Sequence, residues 1–151
     1  MEVINRLQEE ILNSFGDILD NQYFYLTGGT ALSYFYLQHR VSNVLDFFTA
    51  AEELIILFSY NLEKALKQKG MIIQRQRGLA SFVELLVERG IDKTIVHLAC
   101  DSPFRREAVS IFGEYPHLKV DSLRDIAANK LLALFGRAAL RDFIDVYFLV
   151  R

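Results

Sequence analysis

A double glycine between an aromatic run and a helical pattern constrains the fold of this chain most strongly. Residues 23–26 read as a short apolar strand, Gly28-Gly29 follows at once, and a helix is predicted from about residue 30 to 38. The chain then returns as a second short apolar segment that carries Asp46. Because glycine allows a tight change of direction, this order predicts a strand–turn–helix–strand unit.

This unit can seat the triphosphate of a nucleotide. Glycines let the backbone approach phosphate oxygens, and the N–H groups of the following helix point at them. Asp46, on the neighbouring segment, could hold a divalent metal beside those phosphates. Such a site would want a second carboxylate two residues before Asp46, but Val44 stands there. The motif therefore predicts either an active catalytic site or an inactive site that keeps the same fold.

Composition places the chain among globular proteins and excludes several classes. Its 151 residues are 52% hydrophobic and 24% charged, which predicts a single domain over residues 1–151. A net charge of −2 gives no polybasic surface, so broad DNA binding is not predicted. No apolar run reaches the ~18 residues of a membrane span, and no signal peptide is evident. The single cysteine, Cys100, suits the reducing cytoplasm.

The remaining pattern predicts strands framed by helices. Helices are expected over residues 3–15, 50–69, 122–135 and on to 151, and extended segments over 71–76, 80–88, 93–100 and a short stretch ending at Val120. Ser122 resembles a helix N-cap, and Gly136 is a point of interruption before the last helix. This order predicts the α/β (α+β) class, a mixed β-sheet flanked by helices and followed by C-terminal helices.

Four charged residues near the C-terminus would share one face of a continuous helix. They are Lys130, Arg137, Arg141 and Asp145. A solvated face with an Arg141–Asp145 ion pair and a role in contacting phosphate are equally good interpretations. Asp142 lies one step around the helix and could orient Arg137 or Lys130.

Two long motifs together resemble the AbiEii-type nucleotidyltransferase family of the polymerase-beta-like superfamily. The segment YLTGGTALSYFYLQHRVSNVLDFF is similar to its opening pattern: Gly-Gly-Thr, a helix, His-Arg-x-Ser and Asp-Leu-Asp-Phe. The segment SLRDIAANKLLALFGRAALRDFIDVYFL is similar to its closing pattern: Lys, Arg seven residues later, then basic-Asp-x-x-Asp. The segment ending Asp101-Ser102-Pro103 also fits. The resemblance implies a nucleotidyltransferase-like fold.

The resemblance also implies a function and partners. Family members transfer a nucleotide from an NTP substrate, with Mg²⁺ held by an Asp-x-Asp pair and a third Asp on a later strand. They include the toxins of bacterial toxin–antitoxin pairs and phage-defence systems. The chain is therefore expected to be a cytoplasmic, toxin-type protein that modifies an RNA or protein acceptor and has an antitoxin partner.

Carried over residue by residue, the motifs assign roles within this sequence. They assign nucleotide or phosphate binding to Gly28, Gly29, Thr30, Arg40, Ser42, Lys130 and Arg137. Asp46 and Lys130 take catalytic roles, and the metal positions still able to coordinate are Asp46 and His97. Thr30, Val44 and Asp46 are expected to line one cleft, which Lys130 and Arg137 face.

Two of the three family carboxylates are replaced in this chain. The first falls on Val44, and the third falls near His97, which lies between the apolar Val96 and Leu98. His97 suits Mn²⁺ better than Mg²⁺, but a hydrogen-bonded core or cleft histidine is the more ordinary interpretation. Binding of Mg²⁺ or Mn²⁺ is therefore expected to be weak or absent. Two hypotheses stay open: an active nucleotidyltransferase, and an inactive relative serving as a nucleotide-binding or protein-interaction module.

Overall fold

A seven-stranded mixed sheet forms the centre of the molecule, which we describe over residues 1–151 from a computed structural model. The strands are β1 (Tyr25–Thr27), β2 (Val44–Thr49), β3 (Ile72–Leu79), β4 (Phe82–Arg89), β5 (Asp92–Cys100), β6 (Ser110–Ile111) and β7 (Lys119–Val120). Their order across the sheet is β3-β4-β5-β2-β1-β7-β6. β2 runs parallel to β5 and β1 parallel to β7, while the remaining neighbours are antiparallel. The predicted α/β (α+β) class is confirmed.

Five α-helices accompany the sheet. They are α1 (Arg6–Ser14), α2 (Gly28–Ala31), α3 (Ile55–Gln68), α4 (Leu123–Gly136) and α5 (Leu140–Val150). Asn5 caps α1 through a capping box. Its side chain accepts from the Gln8 N–H, and the Gln8 side chain accepts from the Asn5 N–H. Ser122 caps α4 as predicted, accepting from the Asp125 N–H. None of the helices is long and apolar enough to cross a membrane.

The helix after the double glycine differs from the prediction in its geometry. It begins at Gly28 rather than near residue 30, and over Leu32–Leu37 it widens into a π-helix. The Gln38 N–H donates to the Ser33 carbonyl at 2.6 Å, and Gln38 takes a left-handed conformation with φ of 50°. This ending turns the chain sharply, and the His39 and Arg40 side chains then reach Asp145 on α5.

The two faces of the sheet have different roles because side chains alternate along each strand. On one face the side chains are buried against α1 and α3: Leu45, Phe47, Val83, Leu85, Val96 and Leu98. Phe15 stacks on Phe47 with ring centroids 4.2 Å apart, which ties the end of α1 to β2. The opposite face carries Val44, Asp46 and His97, and it forms the floor of a cleft.

Candidate functional site

The cleft lies between the open face of the sheet, the double-glycine turn and the two C-terminal helices. It encloses about 420 Å³. Most of the predicted site residues line it: Gly28, Gly29, Arg40, Ser42, Asp46, His97, Lys130 and Arg137. Val44 and Arg141 line it as well. The fold thus brings together residues as distant in the chain as Gly28 and Arg141.

The two glycines allow charged side chains to lie directly against the turn. Gly28 has a φ of 75°, and a Cβ atom placed there would lie 2.5 Å from Oδ2 of Asp46. A Cβ atom on Gly29 would clash with the Arg40 guanidinium. Any side chain larger than hydrogen would therefore displace the carboxylate or the guanidinium. The turn is built for close approach, and the groups that approach it here are Asp46 and Arg40.

Thr30 does not line the cleft, so the prediction for its side chain is wrong. The residue is fully buried, its hydroxyl donates to the Val44 carbonyl, and it lies 2.5 Å from the Ser42 hydroxyl. The Thr30 hydroxyl links the start of α2 to the start of β2. Its proton is already donated to the Val44 carbonyl, so it cannot be donated to a phosphate. Ser42 borders the cleft, but it is only 6% exposed and its hydroxyl faces Thr30.

A buried carboxylate, Asp145 on α5, gathers three basic side chains at the edge of the cleft. It accepts from Arg40 through Nε at 2.7 Å and Nη2 at 2.9 Å, from Lys130 Nζ at 2.7 Å, and lies 2.6 Å from Nε2 of His39. Burial acts to raise the pKa of Asp145, but hydrogen bonds from Arg40, Lys130 and His39 outweigh it and hold the pKa well below its usual value. Asp145 therefore stays ionised and fixes the direction of Arg40 and Lys130.

Asp142, also fully buried, contacts Arg137 and, at a longer distance, Lys130. It accepts from Arg137 through Nε at 2.7 Å and Nη2 at 2.9 Å, and lies 3.6 Å from Lys130 Nζ. The bond from Arg137 lowers the pKa of Asp142 despite its burial. This is the orienting role predicted for Asp142. It leaves Arg137 half exposed, with unused N–H groups beside the cleft.

The predicted Arg141–Asp145 ion pair is absent, although both residues lie on α5. Asp145 pairs instead with Lys130 and Arg40. α4 ends at Gly136, Ala138 adopts a φ of 49°, and α5 starts afresh at Leu140. The turn folds α5 back onto α4, which brings Asp145 to Lys130 and leaves Arg141 exposed on the cleft without an ion-pair partner. The break between α4 and α5 therefore brings close together the charged residues that one continuous helix would have placed at intervals along its face.

His97 lies between two carboxylates on the cleft floor. Its Nδ1 is 2.9 Å from Oδ1 of Asp46, and its Nε2 is 2.8 Å from Oε1 of Glu84. The three residues are adjacent across β2, β5 and β4. Burial acts to lower the pKa of His97, but the bonds to Asp46 and Glu84 outweigh it and raise the pKa. The sequence analysis missed Glu84, although its place between the buried Val83 and Leu85 puts it on the open face.

These donors do not fit the metal site that the motif implies. Val44 offers no oxygen, and both ring nitrogens of His97 are engaged by carboxylates. No group of three or more His, Cys, Asp or Glu side chains is arranged to hold a metal ion. Mg²⁺ needs several oxygen ligands in near-octahedral geometry. Asp46 and His97 act here as partners of each other, so their predicted role as metal ligands has no supporting geometry.

A second polar network lies beside Thr27, the last residue of β1, and offers a contrast. Asp121, fully buried, accepts from the Thr27 hydroxyl at 2.7 Å, from the Ser122 N–H at 3.0 Å, and from Arg105. Here burial raises the pKa of Asp121, and the single arginine does not outweigh it. The network holds residues 105–107 against the start of α4, because Asp125 accepts from two backbone N–H groups there.

Comparison with known structures agrees with the fold. The structure of JHP933 from Helicobacter pylori superposes with a TM-score of 0.71 at 22% identity, covering 95% of this chain and 63% of that one. MenT4, a nucleotidyltransferase toxin from Mycobacterium tuberculosis, superposes with a TM-score of 0.61 at 19% identity, covering 95% of this chain and 56% of that one. The chain thus spans less than two thirds of either relative.

Sequence comparison extends this likeness from fold to family. No curated protein sequence matches the chain significantly. The sequence profile described as nucleotidyl transferase AbiEii toxin, type IV TA system, matches residues 10–111 and 94–151, which together include both motifs. The chain therefore belongs to the AbiEii family of nucleotidyltransferase toxins.

Proposed function

We propose that this chain binds a nucleoside triphosphate in the cleft and transfers a nucleotide from it to an RNA or protein acceptor. Family membership supports the reaction class. The observation that carries the proposal is the convergence of Arg40, Lys130 and Arg137 beside the double-glycine turn. Guanidinium and ammonium groups are the side chains that bind phosphate oxygens most strongly.

The cations are held in place before any ligand arrives. Asp145 orients Arg40 and Lys130, and Asp142 orients Arg137. Because their positions are fixed by the fold, little conformational entropy is lost when a triphosphate binds. The proposed residues for nucleotide binding are accordingly Gly28 and Gly29 through their backbone, and Arg40, Lys130 and Arg137 through their side chains. For Thr30 and Ser42 only the backbone remains available to a ligand.

The reaction itself requires one bond exchange at phosphorus. The oxygen of an acceptor hydroxyl bonds to the α-phosphorus, the bond from that phosphorus to the bridging oxygen breaks, and pyrophosphate leaves with the electron pair. The hydroxyl proton passes to solvent. Lys130 and the arginines would neutralise charge on the phosphate oxygens, which favours the transition state. With the metal carboxylates replaced, we expect this transfer to be slow.

A second candidate function is nucleotide binding without transfer. The apolar Val44 and the engaged His97 favour it, because both stand where the family places metal carboxylates. Under either function we propose a bacterial, cytoplasmic protein that is controlled by an antitoxin partner. The two candidates differ only in whether label from a nucleotide reaches an acceptor.

The test measures binding and transfer on the same protein. Each labelled ribonucleoside triphosphate is incubated with bulk RNA and with total protein, and its affinity is measured by calorimetry. We expect micromolar to millimolar binding, slow labelling, and a loss of both in Arg137→Gln. Arg124→Gln is the matched control, since Arg124 lies on the same helix and pairs at the surface with Glu107. Binding without labelling would select the second candidate, and no binding would refute both.

A further inference from the structure

We propose that the cleft takes its nucleoside triphosphate as the metal-free anion and not as the magnesium complex. The inference rests on the proposed function and specifies the form of its ligand. It follows from how the charges of the cleft are distributed: Arg137 and Arg141 are open to a ligand, whereas Asp46 is already paired with His97.

The carboxylate on the cleft floor has one of its two oxygens paired with His97. Oδ1 of Asp46 is 2.9 Å from His97, and Oδ2 lies against the backbone of Gly28, 2.5 Å from where a Cβ would be. Glu84 is occupied in the same way by the other ring nitrogen of His97. Val44 stands where the family has its first metal carboxylate, and its side chain cannot coordinate a metal. A metal carried in by a nucleotide would therefore meet Oδ2 of Asp46 as the unpaired oxygen of the cleft-lining carboxylate, which is too few protein ligands for a Mg²⁺ site.

The cations, in contrast, outnumber the carboxylates that face the ligand. Arg40, Lys130, Arg137 and Arg141 line the cleft, against Asp46 alone. Asp142 and Asp145 balance part of this charge from beneath, being fully buried. Arg141 has no ion-pair partner, and Arg137 keeps donors free on an exposed guanidinium. The surface that a triphosphate would touch is therefore positive.

Magnesium and these arginines would compete for the same phosphate oxygens. A chelated Mg²⁺ neutralises part of the triphosphate charge and covers the oxygens that guanidinium groups would otherwise bind in pairs. In a site with free carboxylates that loss is offset by metal–carboxylate bonds. Here only Oδ2 of Asp46 could form such a bond without breaking the contacts of His97. Adding Mg²⁺ should therefore weaken nucleotide binding.

The test compares affinities in EDTA and in excess Mg²⁺. Calorimetric titration with ATP, CTP, GTP and UTP is run at one ionic strength, because salt alone changes charge-driven affinity. We expect the Kd of the best ligand to be several-fold lower in EDTA than in Mg²⁺. A Kd in Mg²⁺ equal to or lower than that in EDTA would overturn the inference and leave the proposed function standing. Binding in neither condition would refute the proposed function itself.

Three variants connect this preference to the residues that cause it. Arg141→Gln should weaken binding in EDTA several-fold, whereas Arg124→Gln, the control away from the cleft, should not change it. Val44→Asp places a free carboxylate beside Asp46 and should move the preference at least tenfold towards the magnesium complex. If folded Val44→Asp protein, verified by circular dichroism, kept the wild-type ratio of the two Kd values, the occupied floor would not explain the preference.

Discussion

Asp145→Asn should be among the most destabilising conservative substitutions in this chain. The carboxylate is fully buried and holds Arg40 with two bonds, Lys130 with one, and His39 with one. An asparagine keeps the shape, removes the charge, and leaves the buried Lys130 and the partly buried Arg40 facing a partner that can no longer neutralise them. Breaking a buried ion pair in this way costs about 3–5 kcal/mol.

Asp121→Asn is the matched control for this substitution. Asp121 is as fully buried as Asp145, but burial raises its pKa, whereas the surrounding cations lower the pKa of Asp145. An ionised Asp121 is therefore already costly, and its neutral isostere should lose only about 1–2 kcal/mol, the range of one charge-assisted hydrogen bond. The two variants thus compare the loss of a carboxylate charge that its neighbours stabilise, at Asp145, with the loss of one that burial destabilises, at Asp121.

The measurement is urea unfolding followed by circular dichroism, with thermal unfolding in parallel. For a protein of this size about 3–5 kcal/mol corresponds to a fall in Tm of roughly 6–20 °C. The lowered pKa of Asp145 also fixes the pH dependence. Its contribution is complete above the ordinary pKa of ~3.9 and is lost as the pH falls towards the folded-state pKa. The stability difference between wild type and Asp145→Asn should therefore be constant near neutrality and shrink below about pH 4.

Two results would refute this reasoning. One is a cost for Asp145→Asn no larger than that for Asp121→Asn. The other is a difference from wild type that persists unchanged into acid, because it would show that the lost stability comes from packing and not from ionisation.

Three further predictions follow from other parts of the chain. Gly28→Ala should cost about 1–3 kcal/mol in urea unfolding, because the φ of 75° strains alanine and its Cβ meets Asp46; an unchanged midpoint would contradict this. Val44→Asp combined with His97→Asp should bind Mn²⁺ measurably by calorimetry, and more tightly than either single variant, since metal ligands act together; a double variant no better than Val44→Asp would count against it. Asn5→Ala should lose about 1 kcal/mol through the capping box of α1, and a loss of helicity confined to that helix by hydrogen exchange would support the assignment.

The sequence predicted the strands and the floor of the cleft because both depend on local periodicity. Alternation along β2 puts Val44 and Asp46 on one face, and the glycine turn delivers α2 next to them. These relations hold over a few residues, so no knowledge of the tertiary structure was needed. The boundaries of β3, β4 and β5 shifted by only a few residues from the predicted segments.

What the sequence could not provide was the pairing of side chains from distant elements. The contact between Asp145 and Lys130 depends on the break at Gly136 and on the left-handed Ala138, which no periodicity encodes. The role of Thr30 depends on how closely α2 approaches β2, and that approach buries a hydroxyl that the motif alone would leave open. Glu84 was overlooked because no motif marks it, although strand alternation places it on the open face.

The cations of the cleft have two roles, and this affects how the motif is interpreted. Arg40 and Lys130 line the cleft, yet through Asp145 they also fasten α5 to the segment that follows α2. Losing either cation would weaken the neutralisation of the buried Asp145, so stability alone favours retaining them. The carboxylate position at Val44 carries no such constraint, because an apolar side chain there breaks no buried pair. A chain of this fold can therefore lose its metal carboxylates while keeping its phosphate-binding cations, and their presence shows a capacity to bind anions more directly than a capacity for catalysis.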